Sequence, residues 1–166
     1  QELFQEPLYF LPVFYFCPSC FCYHLLTFKS LFLLKMVKSK RINISSGAKW
    51  EDIVGYSRAV KIGNIIEVSG TTAVDEHNEI HGIDDPYQQT KYIILNAEKA
   101  LIELGSSLKD VIRTRIYTTD ISKWEEIGKA HGEFFRVIKP ASTMVEVNKL
   151  IDHKILVEIE FSALIN

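Results

Sequence analysis

Residues 136–151 read RVIKPASTMVEVNKLI. Pro140 ends a helical pattern, because it has no backbone N–H and its ring clashes with the preceding turn. Two small hydroxyl residues, Ser142 and Thr143, follow, and Met144, Val145, Glu146 and Val147 then alternate as a half-buried strand does. A helix that stops at a proline and gives way at once to a strand sets a pattern that the flanking sequence continues. It also poses a functional question: Ser142-Thr143 is either a plain turn or one wall of a binding site.

Upstream, Trp124, Ile127, His131, Phe134 or Phe135, and Ile138 form one helical stripe, and Ser122-x-x-Glu125 has the spacing of a capping box at its start. Before that helix, DVIRTRIYTTD (110–120) has period two, with Ile112 and Ile116 on one side and Arg113, Arg115 and Tyr117 on the other. That alternation predicts a half-buried strand. Downstream, ILVEIEFSAL (155–164) predicts another, in which Val157, Ile159 and Phe161 oppose Glu158 and Glu160.

Further out, Asp85-Pro86-Tyr87-Gln88 reads as a helix start: an acidic N-cap, proline at the first helical position and a glutamine placed to close a capping box. The stripe Ile93, Ala97, Ala100, Leu101, Leu104 follows, with Gly105 as the stop. Ile42 and Ile44 suggest a first strand. YSRAVKIGNIIEVSG (56–70) then gives two strand-like runs joined at Gly63-Asn64, a pair suited to a tight hairpin turn. The small residues Ser69-Gly70-Thr71-Thr72 allow another backbone or a ligand to come close.

The order β-β-β-α-β-α-β-β implies an α+β domain, a mixed sheet with two helices on one face. The other face carries Arg113, Arg115 and Tyr117 on one strand and Glu158 and Glu160 on another. Such a face predicts an oligomer in which these groups pair or line clefts, the alternative being cross-strand ion pairs on a wet sheet. His131, on the apolar stripe, reads as a packed histidine rather than a base.

The 166 residues suit one domain, and a formal net charge of −2 predicts no nucleic-acid partner. The opening QELFQEPLYFLPVFYFCPSCFCYHLLTFKSLFLLKM (1–36) stands apart, with all three cysteines, most of the phenylalanines and hardly any charge. It lacks the basic start of a secretory signal, and Pro7, Pro12, Pro18 and His24 make it a poor membrane helix. The expectation is therefore a non-native or targeting extension over 1–36, with a membrane role as the alternative, and a separate domain over 37–166. One Cys17-x-x-Cys20 is a weak redox or zinc signal without a second pair. The domain after Met36 contains no cysteine, which excludes a thiol nucleophile, a disulfide and a thiolate metal site within it.

The domain also resembles a known family. Tyr56-Ser57-x-Ala59-Val60, Gly63-Asn64, Val68-Ser69-Gly70, Gln89, Asn96, Leu104-Gly105 with Leu108-x-Asp110-Val111, Asp120, Pro140-Ala141, Val145-Glu146-Val147 and Val157-Glu158-Ile159-Glu160 together, over about Arg41 to Leu164, are similar to the reactive intermediate deaminases (RidA/YjgF, also called L-PSP endoribonucleases). The resemblance implies a chorismate-mutase-like (YjgF-like) fold and a homotrimer with a cleft at each subunit interface. It further implies a cytoplasmic location, and hydrolysis of the C=N bond of a small enamine or imine metabolite with release of ammonia. It implies no metal and no cofactor, and for the domain no membrane partner.

By the same resemblance, Glu158 is the carboxylate that positions and activates water, and Tyr56 lines the cleft. Ser69 and Gly70 would offer backbone N–H groups to a substrate carboxylate, and Ser142, Thr143 and Met144 would form a wall. One departure matters: family deaminases carry an arginine after Pro-Ala that clamps the substrate carboxylate, and this chain has Ser142. A hydroxyl cannot replace that charged fork, each bond of which contributes about 1.5–3 kcal/mol. Gly128 stands where the family has an asparagine. Either the substrate is not an anionic imino acid, or a cation arrives from elsewhere, and alternation nominates Arg115. The expected function is thus a RidA-like deaminase. The alternatives are a non-catalytic metabolite-binding trimer and an endoribonuclease, the last lacking a basic groove and an aromatic ladder.

Overall fold

The computed structural model describes residues 39–166. The expectations for residues 1–36, including Cys17 and Cys20, lie outside the described residues.

A six-stranded sheet runs in the order β1-β2-β3-β6-β4-β5, with strands β1 (Arg41–Ile44), β2 (Ala59–Ile62), β3 (Ile65–Thr71), β4 (Val111–Thr118), β5 (Ala141–Glu146) and β6 (Val157–Leu164). Only β4 and β5 pair in parallel; the other ladders are antiparallel. The parallel pair is bridged by helix α3 (Trp124–Phe135), and helix α2 (Pro86–Glu103) links β3 to β4. Both helices cover one face, where Ile66, Ile93, Leu101, Ile127, Phe135, Val157, Ile159 and Phe161 are fully buried. This is the α+β architecture that the sequence order implies.

The α2 stripe from Ile93 to Leu104 is buried as its spacing demands. Asp85 accepts from the Gln88 N–H at 2.9 Å and Pro86 opens the helix, while Gly105, at φ 74°, lets the chain leave. Lys61 Nζ reaches from β2 to the Leu104 carbonyl at 2.7 Å, where the helix dipole favours a cation. Between β2 and β3 only Gly63 of the two turn residues has positive φ, the pattern of a type II′ hairpin.

Four details depart from the sequence pattern. A short helix α1 (Lys49–Val54) lies between β1 and β2; its signal is too brief for periodicity to show. The β4 register shifts between Val111 and Arg113, so Ile112 is exposed and Val111 takes the core position that alternation gives to Ile112. The Ser122-x-x-Glu125 box does not form. Asp120 instead caps a 3-10 turn (Ile121–Lys123) through Ser122, because that tighter turn starts the chain's helical path three residues earlier. Trp124 therefore sits at the exposed start of α3 rather than in its buried stripe.

Gln89 is fully buried and fixes the segment that leads into β6. Its amide donates to the carbonyls of Gly82 (3.2 Å) and Lys154 (2.7 Å), and its Oε1 accepts from the Leu156 N–H at 2.8 Å. A helix side chain thus sets the level at which Glu158 enters the sheet. Among the described residues no helix is long and apolar enough to cross a membrane.

Candidate functional site

The sheet face away from the helices carries the candidate site. Strand alternation in β6 points Val157, Ile159 and Phe161 into the core and leaves Glu158 and Glu160 half-buried on the open face. Register places Tyr117 beside Glu158 and Arg115 beside Glu160. Across β3, Glu67 accepts from Ser162 Oγ at 2.7 Å.

The β3–β6 ladder breaks between Val68 and Thr71, so that Ser69 and Gly70 form a bulge. The bulge, and the absence of a side chain at Gly70, make room for the Glu158 carboxyl: a Cβ at position 70 would collide with Glu158 Oε1. Burial raises the Glu158 pKa above the ordinary carboxylate value, the like charge of Glu160 raises it further, and Arg58 opposes both. A half-buried carboxyl with an elevated pKa, resting on a glycine, can exchange a proton with a bound water.

Arg58 is absent from the sequence-based candidates. It lies just before β2, and one terminal nitrogen, Nη2, donates to Ser69 O (2.6 Å), Gly70 O (3.1 Å) and Thr71 Oγ1 (2.7 Å). Burial lowers its pKa, while Tyr56, Glu51 and Glu158 favour its charged form. Nothing in linear spacing points to it, because its partners are carbonyls of a bulge that pattern reading does not locate.

Arg115 pairs with Glu160 at 3.3 Å, both half-exposed, so the cation that alternation nominates is already neutralised within its own sheet. Such an exposed pair is worth about 0.2–1 kcal/mol. Ser69 also differs from its expected role: its N–H donates to Arg58 O at 3.1 Å and its hydroxyl to Ser57 O at 2.7 Å. That N–H is spent on joining β3 to β2, and a ligand at the bulge would meet Gly70 instead. Tyr56 stands partly exposed beyond α1, two residues from Arg58.

The Ser142–Met144 stretch divides between the two faces. Thr143 lies in register with Arg115, on the open side, whereas Ser142 is in register with Thr114 and Met144 packs against the core. Ser142 Oγ is 3.0 Å from Thr114 Oγ1, which is itself 3.1 Å from His131 Nε2. His131 packs against Phe135 with ring centres 4.6 Å apart and planes tilted by 33°, and burial lowers its pKa, which disfavours the charged imidazolium. The exposed Ser142 hydroxyl therefore engages the buried Thr114 and, through it, the half-buried His131, apart from Glu158. Among the described residues no cluster of His, Cys, Asp and Glu could hold a metal ion.

The model of the family described as Endoribonuclease L-PSP matches residues 47–165. An uncharacterized protein of Streptomyces coelicolor is 37% identical over 120 residues, covering 72% of this chain and 89% of that protein. The 3-aminoacrylate deaminase RutC of Acinetobacter baylyi is 33% identical over 104 residues, covering 63% of this chain and 82% of its own. A crystal structure of a YjgF/YER057c/UK114 family member from Mycobacterium tuberculosis is 45% identical, with a TM-score of 0.69 over 76% of this chain and all of that one. The match spans every strand but the first, and includes the bulge and both carboxylates of β6, so the chain belongs to the RidA/YjgF family, whose model carries the name Endoribonuclease L-PSP.

Proposed function

We propose that the protein is a hydrolase of the imine and enamine deaminase type, acting on a small C=N metabolite in clefts between the subunits of a homotrimer. The observation that carries this reading is the Glu158 carboxyl, half-buried on the Gly70 bulge with its pKa raised. In its ionised form it takes a proton from water as the oxygen adds to the imine carbon. It then returns that proton to the nitrogen, giving a carbinolamine; as the C–N bond breaks, the remaining hydroxyl proton passes to the nitrogen, which leaves as ammonia, and the oxygen becomes the carbonyl of the product. The likeness to a 3-aminoacrylate deaminase supports the same reaction class.

Trimer formation is supported by what the open face and its edges expose. Ile62, Ile65, Val145 and Tyr56 are all at least 40% accessible in the single chain, beside the charged groups of β4 and β6. A patch of that kind on a sheet face is suited to burial against a second copy.

The substrate differs from that of family members with the arginine clamp. Ser142 engages Thr114, and Arg115 engages Glu160, so neither offers an unpaired cation to a carboxylate. Of the other cations, Arg58 spends its Nη2 on the bulge and Arg113 lies four residues along β4 from the residue beside Glu158, which favours a neutral imine over an anionic 2-imino acid. The same observation also favours a second reading, a trimer that binds such a metabolite without turnover. A ribonuclease reading gains nothing from the open face, where Arg113 and Arg115 share the surface with Glu67, Glu158 and Glu160.

The experiment is ammonia release from freshly generated imines, neutral and anionic, with the uncatalysed rate subtracted. Acceleration of the neutral imine beyond the anionic one is expected. No acceleration with either, together with saturable binding, would replace the deaminase by the binding trimer.

A further inference from the structure

We propose that Arg58 is the positioning residue of this cleft: it holds the Ser69–Gly70 bulge on which the Glu158 carboxyl rests and supplies the positive charge in whose field that carboxyl works. The proposal builds on the reading of Glu158 as the site's proton-transfer group.

Three observations carry it. First, one nitrogen of Arg58 collects Ser69 O, Gly70 O and Thr71 Oγ1, the acceptors of the segment where β3 departs from its ladder with β6. A bulge turns carbonyls out of register, and a guanidinium that gathers them fixes its shape. Second, that shape is what admits the Glu158 carboxyl, since even a methyl group at Gly70 would displace it. Third, Arg58 Nε is buried and has no hydrogen-bond partner among the described residues. A desolvated, unpaired donor on a cation is costly, and an arginine retained there for packing alone could be replaced by a neutral residue at lower cost. What a neutral residue cannot supply is the charge.

The surroundings give that charge a direction. Glu158 faces Tyr117 on β4, Glu160 on its own strand with Arg115 paired to it, and Arg58 from the β2 side. Arg58 in turn lies in the field of Tyr56 and Glu51. Glu51 is engaged by Ser45 and by Ser46, whose N–H and hydroxyl donate at 2.9 Å and 2.6 Å. Burial and Glu160 both hold the proton on Glu158, and Arg58 is the group that favours its release.

The test reads Glu158 directly and needs no substrate. In the full chain with carbon-13 in the glutamate carboxyls, and with Glu158→Gln to assign the signal, the Glu158 titration is followed in the parent, Arg58→Lys and Arg58→Met. Arg58→Met should move the Glu158 midpoint upward by about one pH unit and shift the amide signals of Ser69, Gly70 and Thr71. Arg58→Lys, which keeps the charge but not the fork, should leave the midpoint near the parent's while still shifting those amides. An unmoved midpoint in Arg58→Met, or a lysine variant that titrates like the methionine one, overturns the proposal. Should Arg58→Met fail to fold, Arg58→Gln takes its place, with the same upward shift expected and the same null result decisive. A protein that hydrolyses no imine yet shows the displaced midpoint keeps this role for Arg58 and loses the deaminase reading instead.

Discussion

Glu158 works in an environment that opposes its charge, and that has a consequence for stability. A carboxyl whose folded pKa is raised favours the folded state only below its unfolded value, and costs stability once the pH passes the folded one. Glu158→Gln should therefore melt above the parent at pH 7.5, with the advantage shrinking as the pH falls toward 4, in thermal melts across that range. A variant that melts lower at every pH would show that the carboxylate serves the fold. Period-two alternation placed Glu158 on the open face, and the family likeness assigned its role. Arg58 could not be found that way, since its acceptors are two backbone carbonyls and a threonine hydroxyl at a bulge. Alternation singles out Arg115 because spacing reveals which face a residue takes but not which partner already holds it.

At the scale of elements, strands and long helices were legible because their apolar stripes are long, and irregularities were not. The β4 shift at Ile112 and the β3 bulge each add one residue to a strand, which flips alternation locally without any compositional mark. Gln89 shows how a single helix residue controls an element far from it in sequence. Gln89→Met should leave the carbonyls of Gly82 and Lys154 and the N–H of Leu156 without their partner and cost about 3 kcal/mol or more in denaturant unfolding. A loss below about 1 kcal/mol would mean that the segment before β6 is held by other contacts. The short helix α1 supplies a pH test. Burial raises the Glu51 pKa, but the hydrogen bonds from Ser45 and Ser46, with Arg58, outweigh it and leave it lowered. A lowered pKa stabilises above the unfolded value, near 4.5, and that contribution is lost as the pH falls through the folded one. Glu51→Gln should thus be less stable than the parent at pH 7, with the gap closing as the pH falls below the ordinary carboxylate range.

For the whole molecule, the domain class followed from element order alone, whereas the assembly did not, because a single chain's pattern marks a face as unusual without naming what covers it. If the open sheet face is a subunit interface, light scattering at micromolar concentration should report three chains per particle, and a monomer would remove the clefts. A chain beginning at Met36 should form the same trimer and melt at the same temperature as the full chain. The most direct measurement is the rate of ammonia release from a freshly generated neutral imine by the parent and by Glu158→Gln at matched trimer concentration. Glu158 as the proton-transfer group predicts a loss of about 10²–10⁴-fold in kcat/KM with the trimer intact. A glutamine variant that retains the parent's rate would contradict it.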